Sequence, residues 1–420
     1  MTTPKTPNPN NHVIIIGGGH VGLSFALLLA HRGIYSTLLE STKYPTIIPD
    51  EDNHRQSYLD SRNTALSRRS VQIYGEIGLW DSLSHHACHI DKVLISELGS
   101  FGRATLDKHA EGVESFGSVM ENAWLGRMLL QATKNSPYIT LFDGMTVTDI
   151  RQDDNMAHIY ADGSDGQIQL SAPLVVACDG QHSPIRHMLG VGVDTHDYGQ
   201  TGIVGVVETD MPHHHIAIEK FNTAGPLALL PLPTINDTHR RSVVFICKTG
   251  QEARYLDDDD YFLATLRQIF GNDAGKFLGV GKRGAYPLTK VISHRQVVGR
   301  CVLMGNAAHT LHPVAGQGFN LCLRDAHALA NLLGNALQDA QTQKFGTDDL
   351  DFGEPNRLFA YEKSRQTDQK RVMKFCDTIV GSFTSTNPAM KLARNVGLIA
   401  FDKVPFIKPM VATYAMGLKS

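Results

Sequence analysis

The sequence predicts an α/β protein: a Rossmann-type dinucleotide-binding domain, interrupted by a mostly β domain and followed by a helical tail. Three observations carry this expectation. A β-branched run, VIII at 13–16, opens directly into a glycine-rich turn and an Ala/Leu-rich helix. A second apolar run, CVLM at 301–304, stands late in the chain and again leads through glycines into a helix. Between them, IVGVVETD (203–210), HIAIEKF (215–221) and SVVFICKTG (242–250) alternate or run β-branched, as strands do.

Val13–Ile16 reads as a buried parallel strand. It enters Gly17-Gly18-Gly19-His20-Val21-Gly22, which fits G-x-G-x-x-G, then a helix stopped by Gly33. Ile34–Leu39 is a second strand, ending at Glu40. Gly17 permits the tight turn, Gly19 admits a pyrophosphate to the backbone, and Gly22 lets the helix pack on the strand. The helix start offers amide N–H groups and a positive dipole end to phosphates. Glu40, about 20 residues on, is the expected ribose acceptor. Strand, turn, helix, second strand and terminal acid together predict dinucleotide binding; this motif alone does not separate FAD from NAD.

Leu174–Ala177 is another apolar strand, ending in Cys178-Asp179-Gly180 and a short helix carrying Arg186. Ligands of open α/β sheets sit outside the carboxyl ends of strands, so Asp179 and Arg186 are placed to order a phosphate-bearing cofactor or its neighbouring loop. The third station is GNAAHTLHPVAGQGFN at 305–320. Gly305-Asn306 follows a strand over Arg300–Met304, His312-Pro313 forces an extended turn, and Gly316-Gln317-Gly318 bares the backbone before a helix over Phe319–Leu333. Two helix N-termini far apart in sequence, facing one ligand, imply a long dinucleotide lying extended: FAD, with its pyrophosphate on the first helix and its isoalloxazine on the second.

Composition sets the remaining bounds. A chain of 420 residues suggests two to three domains, and 42% apolar with 19% charged residues is ordinary for a globular protein. A formal charge of −3 gives no reason to bind nucleic acid. DDDD at 257–260 reads as a solvated loop or a helix start. Six cysteines without a C-x-x-C pair read as reduced, mostly buried thiols of a cytoplasmic protein. MTTPKTPNPNNH lacks the apolar core of a signal peptide. Glycines and a histidine break the run 13–30, so no spanning helix is expected there. No metal is expected: His309 and His312 lack an evident carboxylate or thiol partner, and His213-His214-His215 reads as a polar loop.

GGGHVG…LLE, DSRNTALS (60–67), ACDGQHSPIR (177–186) and GNAAHTLHPVAGQGFNLCLRD (305–325) together resemble the flavin-dependent aromatic hydroxylases related to p-hydroxybenzoate hydroxylase. IEKFNTAGPLALLPLP (218–233), GKRGAYPL (281–288) and ARNVGLIAFD (393–402) make the chain most similar to the ubiquinone-biosynthesis hydroxylases, in particular the 2-polyprenyl-6-methoxyphenol hydroxylase branch. The resemblance implies hydroxylation of a polyprenylated phenol by O₂, with FAD as cofactor and NADPH or NADH as transient reductant; the flavin carries the chemistry, so no catalytic side chain is nominated. By the same resemblance Gly17, Gly19, Gly22 and Glu40 hold the ADP half, and Arg62 contacts the pyrophosphate side. Asp179-Gly180 serves both FAD and the nicotinamide cofactor, and Gly305 and Asn306 touch the ribityl and pyrophosphate. Pro313, Gly316, Gln317, Gly318, Phe319 and Asn320 line the flavin ring, and Arg127 is the polar residue near 125–127. Tyr286 and Pro287 are pocket candidates. Asn306 departs from the aspartate of the wider superfamily, keeping an acceptor of the same reach but losing its charge, as the ubiquinone branch does.

The implied organisation is an FAD-binding domain from 1–75, 105–180 and 286–345, a mostly β substrate domain from 76–104 and 181–285, and a helical region over 346–420. The segment 388–420 carries five basic residues and one acid, and Met390, Ala393, Val396, Ala400 and Val404 recur at helical spacing. This suggests either a helix packed on the FAD domain or a peripheral contact with the inner membrane surface or with other ubiquinone-biosynthesis proteins. A halogenase is disfavoured, because Trp80 and Trp124 cannot form W-x-W-x-I-P. The alternatives kept are hydroxylation at another ring position, a flavin-dependent prenyl reductase, and a non-catalytic scaffold, against which the complete FAD motifs argue.

Overall fold

The computed structural model describes residues 11–45, 62–100, 102–164, 166–342, 350–384, 387–403 and 416–417. At its centre β1 (His12–Ile16) runs parallel to β2 (Tyr35–Glu40) on one side and to Leu174–Ala177 on the other. Ile139–Asp143 and Cys301–Leu303 extend this sheet in parallel, and Val297–Val298 closes one edge antiparallel. Val13–Ile16 and Leu174–Ala177 are buried along their length, as strands covered on both faces must be. Alternation divides them: Val13 and Ile15 face one layer, Ile14 and Ile16 the other.

The first layer is helical. It contains α1 (His20–His31), Asn122–Asn135 and Gln317–Thr342, which bury Phe25, Leu29, Leu125, Leu129, Leu323 and Leu329 against the sheet. Each such side chain contributes about 1.5–3 kcal/mol relative to exposure. The second layer is an antiparallel meander of Met145–Gln152, Ala157–Gly163 and Gly166–Ala172. Val147, Ile159 and Ala161 supply its inner face.

A nine-stranded sheet forms the second half of the molecule. Val193–Thr209 runs through it, pairing with His239–Lys248 and Gly284–Ser293. The helix Asp259–Phe270 covers its core around Ile203, Leu227, Leu229 and Phe245. That helix starts inside the DDDD run, where the Asp258 carboxylate accepts the Tyr261 amide at 2.8 Å. A small antiparallel sheet of β3 (Asn63–Ser67), Gly117–Glu121 and Cys88–His89 stands between the halves, with α2 (Arg68–Glu76) following β3. The chain crosses between halves within 76–107. Leu79, Trp80 and Leu83 pack in the core beneath α1, whereas Lys92–Glu97 and Arg103–Asp107 join the nine-stranded sheet.

Among the described residues, the C-terminal region contains two helices, Pro355–Thr384 and Pro388–Lys403. The second is not seated on the spacing Met390, Ala393, Val396, Ala400. It buries Arg394, Asn395 and Leu398, and exposes Met390, Leu392, Val396 and Ile399. A buried ion pair sets this rotation: Arg394 Nη2 lies 2.6 Å from Glu97 Oε1. Val404 falls outside the described residues.

Candidate functional site

The first loop is shaped by steric necessity. Gly17 has φ 100° and its amide donates to Leu39 O at 2.8 Å; a Cβ there would lie 2.6 Å from Cys178 O. A Cβ on Gly22 would meet Gly17 O at 1.9 Å, so α1 reaches the strand only because residue 22 is glycine. Gly19, the N-cap of α1, differs: with ordinary φ of −68°, its Cβ would meet nothing within 4 Å. This opening lies beside the amides of the first helical turn, at the positive end of the helix dipole. Glu40 is drawn into the loop itself, accepting from the Gly18 amide at 2.6 Å and the Thr42 amide at 2.8 Å.

The second and third loops close over it. Gly305 (φ 66°) lies against Val21, which a Cβ would approach at 3.2 Å, so the turn Gly305–Ala307 sits at the start of α1. Asn306 is exposed beside it. Asp179 accepts from Ser183 Oγ at 2.6 Å and from the Ile185 amide at 3.1 Å. Burial raises the Asp179 pKa above the usual carboxylate range despite those hydrogen bonds and the nearby Arg186. Arg186 donates to Ala307 O at 2.9 Å and Gln181 O at 2.8 Å, tying the second loop to the third.

The turn Val314–Gly316 leads into the helix beginning at Gln317. Gly316 (φ 60°) abuts Ala65 of β3, while Gly318 faces open space. Pro313 is exposed and Phe319 half-buried, its ring edge-on to His20 with centroids 6.2 Å apart. Gln317 is buried. Asn320 is fully committed to the fold. It accepts from the Ser67 amide at 2.8 Å and Ser70 Oγ at 2.7 Å, and donates to Ala65 O and Gly316 O. It shapes the loop, and its amide is not free for a ligand.

The expectation that His309 lacks a carboxylate partner is corrected by the structure. His309 Nε2 lies 2.7 Å from Asp325 Oδ2, supplied from the following helix. Asp325 also accepts from Arg365 Nε at 2.6 Å and Gln369 Nε2 at 2.9 Å, and Arg365 and Arg324 share Asp368. Burial alone would raise the Asp325 pKa, but the hydrogen bond from His309 and the charges of His309 and Arg365 hold it below the usual range. His312 is also buried; its Nε2 donates to Gln200 Oε1 at 3.0 Å and its Nδ1 accepts the Val314 amide at 3.3 Å. Those partners fix a neutral ring, and burial lowers its pKa from 6.5 to about 4.

Arg62 and Tyr286 meet across the seam between the halves, the guanidinium 5.1 Å from the ring centroid. Tyr286 is 36% exposed, and Pro287 follows it on the same strand. Arg127 borders a cleft of about 420 Å³ with Leu79, His85, Trp124 and Gln131. Its Nε is buried without a hydrogen-bond partner, a donor that a bound anion or acceptor would satisfy. Sequence reasoning passed over three contributors. His20 Nε2 lies 3.1 Å from Asn122 O, Tyr44 donates to Gly18 O at 2.6 Å, and Val21 supports Gly305. His20 and Val21 lie inside the motif, but at its variable positions; Tyr44 carried no local signal.

The model of the family described as FAD binding domain matches residues 10–348. The chain belongs to this family. FAD is therefore its cofactor, and the residues present fit it: open space at Gly19 and Gly318, with helix-start amides beside both. The chain is 33% identical over 409 residues to ubiquinone hydroxylase UbiL of Rhodospirillum rubrum, covering 96% of this chain and 89% of that protein. It is 28% identical to 3-demethoxyubiquinol 3-hydroxylase of Escherichia coli, covering 98% and 100%. Among solved structures, p-nitrophenol 4-monooxygenase PnpA from Pseudomonas putida matches with TM-score 0.74 at 18% identity, covering 95% of this chain and 96% of that one. Klebsiella pneumoniae HpxO, complexed with FAD and uric acid, matches with TM-score 0.71 at 19% identity, covering 97% and 98%. These last two show the shared fold.

Proposed function

We propose that this chain is an FAD-dependent monooxygenase that hydroxylates the aromatic ring of a polyprenylated phenol in ubiquinone biosynthesis, with NADPH or NADH as reductant. The observation that carries the reading is the meeting of two glycine loops at one helix start: Gly305 rests on Val21 beside the opening at Gly19. Bound FAD supplies dioxygen activation and transfer of one oxygen atom to the ring. Gly17, Gly19, Gly22 and Glu40 hold its ADP half, with Arg62 toward the pyrophosphate. Asp179-Gly180 and Arg186 order the adjoining loop, and Gly305 and Asn306 face the ribityl chain. Pro313 and Gly316–Phe319 border the ring, and Asn320 fixes their backbone. The amides at the helix start near Gln317 favour negative charge on a ring placed against them. Arg127 adds a further donor.

The proposed substrate region is the nine-stranded half, built from Lys92–Glu97, Arg103–Asp107 and 193–293 in place of 76–104 and 181–285. Tyr286 and Pro287 lie on its strand Gly284–Ser293, where Arg62 meets Tyr286 across the seam. Sequence relatives named as ubiquinone hydroxylases support the substrate class. The test is oxidation of NADPH or NADH by FAD-loaded protein: a short-chain prenylated phenol should accelerate it and be converted to a hydroxylated product. Reductant oxidation without any hydroxylated phenol would reject the reading and favour a reductase.

No helix among the described residues is long and apolar enough to cross a membrane. Peripheral contact through Pro388–Lys403 is proposed from the exposed Leu392, Val396 and Ile399, which lie on one side of that helix. Arg394 is consumed by Glu97, so Lys391 is the exposed base beside them. Co-sedimentation with anionic liposomes should fall on the triple change of these three to Ser; equal binding would exclude the contact.

A further inference from the structure

We propose that Cys88, His213 and His215 form a binding site for a zinc-class divalent cation. The sequence suggests a solvated polar loop at His213-His214-His215, but only His214 is exposed and His213 is buried. The loop joins Val193–Thr209 to Ile216–Asn222 and folds back onto Cys88 of the small sheet, more than a hundred residues earlier. Cys88 Sγ lies 3.8 Å from His213 Nε2 and 3.4 Å from His215 Nδ1, and all three ligand atoms fall within 4.8 Å of one another. In a tetrahedral zinc site with bonds of about 2.3 Å to sulfur and 2.0 Å to nitrogen, sulfur and nitrogen stand about 3.5 Å apart. The two measured edges straddle that value.

The surroundings support the assignment. His214 and His215 hold left-handed backbone, φ 49° and 59°, a costly conformation for two successive non-glycine residues. The His89 ring stacks on His215 at 3.9 Å, and His89 Nε2 lies 3.6 Å from Asp91 Oδ2. Asp91 Oδ1 and His239 Nδ1 are buried with no hydrogen-bond partner among the described residues. His89, His214 and His239 line a cleft of about 380 Å³ with the three ligands, room for a fourth ligand or a water. A thiolate and Asp91 balance the positive charges of Arg241, which donates to Ile216 O in the same loop, and of Lys108, whose Nζ lies 2.9 Å from Asp91 Oδ2.

Binding carries a defined rearrangement. Without the cation, His213 Nε2 donates to Leu232 O at 2.9 Å and Nδ1 accepts the His215 amide at 3.0 Å. Ligation through Nε2 moves the ring proton to Nδ1, releases the His215 amide, and expels the Cys88 thiol proton to solvent. The turn 213–215 therefore relaxes as the site fills. The bound ion fastens the small sheet, whose β3 supports the flavin loop through Ala65 and Gly316, to the nine-stranded sheet.

The test uses full-length, FAD-loaded protein cleared of metals with a chelator and titrated with Co²⁺. Tetrahedral cobalt absorbs at wavelengths longer than any band of oxidised flavin. One cobalt per chain, an intense long-wavelength band, its displacement by Zn²⁺ and one sulfur in the cobalt X-ray absorption spectrum are expected. Cys88→Ser and His213→Gln should each lose the band while keeping flavin, and His214→Gln should keep it. A sulfur-free, six-coordinate cobalt spectrum in the unmodified chain would overturn the proposal, as would equal binding by Cys88→Ser. Where Cys88→Ser fails to hold flavin, the sulfur signal of the unmodified chain decides.

Discussion

Acidification should loosen the flavin loop through one buried histidine. His312 is 1% exposed, and its neutral ring joins Gln200 to the amide of Val314, the residue that opens the turn into the second helix. Its pKa falls from 6.5 to about 4 because burial penalises the charged ring, with Asp377 opposing weakly. Between those values the unfolded chain binds a proton that the folded chain refuses, so stability declines as pH falls through this window and levels off below it. At 1.36 kcal/mol per pH unit the displacement is worth about 3 kcal/mol. His12 and His213 are lowered to about 4 as well, so the chain as a whole loses more. His312→Asn isolates the one contribution, since Asn can donate to Gln200 yet does not titrate. Urea midpoints and free-flavin fluorescence, followed from pH 7 to pH 4, should show the unmodified chain weakening by about 3 kcal/mol more than the variant. Parallel curves for the two proteins would refute the reasoning.

Gly19→Ala and Gly22→Ala should separate binding from folding. The first meets open space and should keep its melting temperature while losing FAD affinity; the second collides with Gly17 O and should lose both. Equal FAD affinity in Gly19→Ala would remove residue 19 from the pyrophosphate site. Asn306→Asp should retain FAD, whereas Asn306→Leu should weaken it by about 1–3 kcal/mol through an unsatisfied partner, and equilibrium dialysis decides. Asp325→Asn removes the buried carboxylate that pairs with both Arg365 and His309, leaving Arg365 only Asp368, and should cost about 3–5 kcal/mol in urea unfolding. A loss below 1 kcal/mol would show that this network does not hold the flavin loop.

What was legible in the sequence was local. Gly17 and Gly22 are demanded by backbone contacts a few residues away or across one strand, so the motif exposes them directly. The two helices following glycine loops were legible for the same reason, although the second begins at Gln317 rather than Phe319. The rest depends on distant partners. The meander over the back of the sheet is built by pairings that alternation alone cannot assign to a layer. Asp325 finds His309 because one turn and one helix fold back together, and Cys88 finds His213 across two different sheets. The spacing of the final helix gave the helix but not its buried face, which an ion pair with Glu97 sets.

The central claim is that FAD held between the two glycine loops serves to place an oxygen atom from O₂ on a phenol ring. Isotopically labelled dioxygen tests it most directly. FAD-loaded protein, NADPH or NADH and a prenylated phenol are incubated under the label, and the product is weighed by mass spectrometry. The account predicts one labelled oxygen atom per product, with none when FAD is omitted. Unlabelled product, or a product gaining only hydrogen, would contradict it.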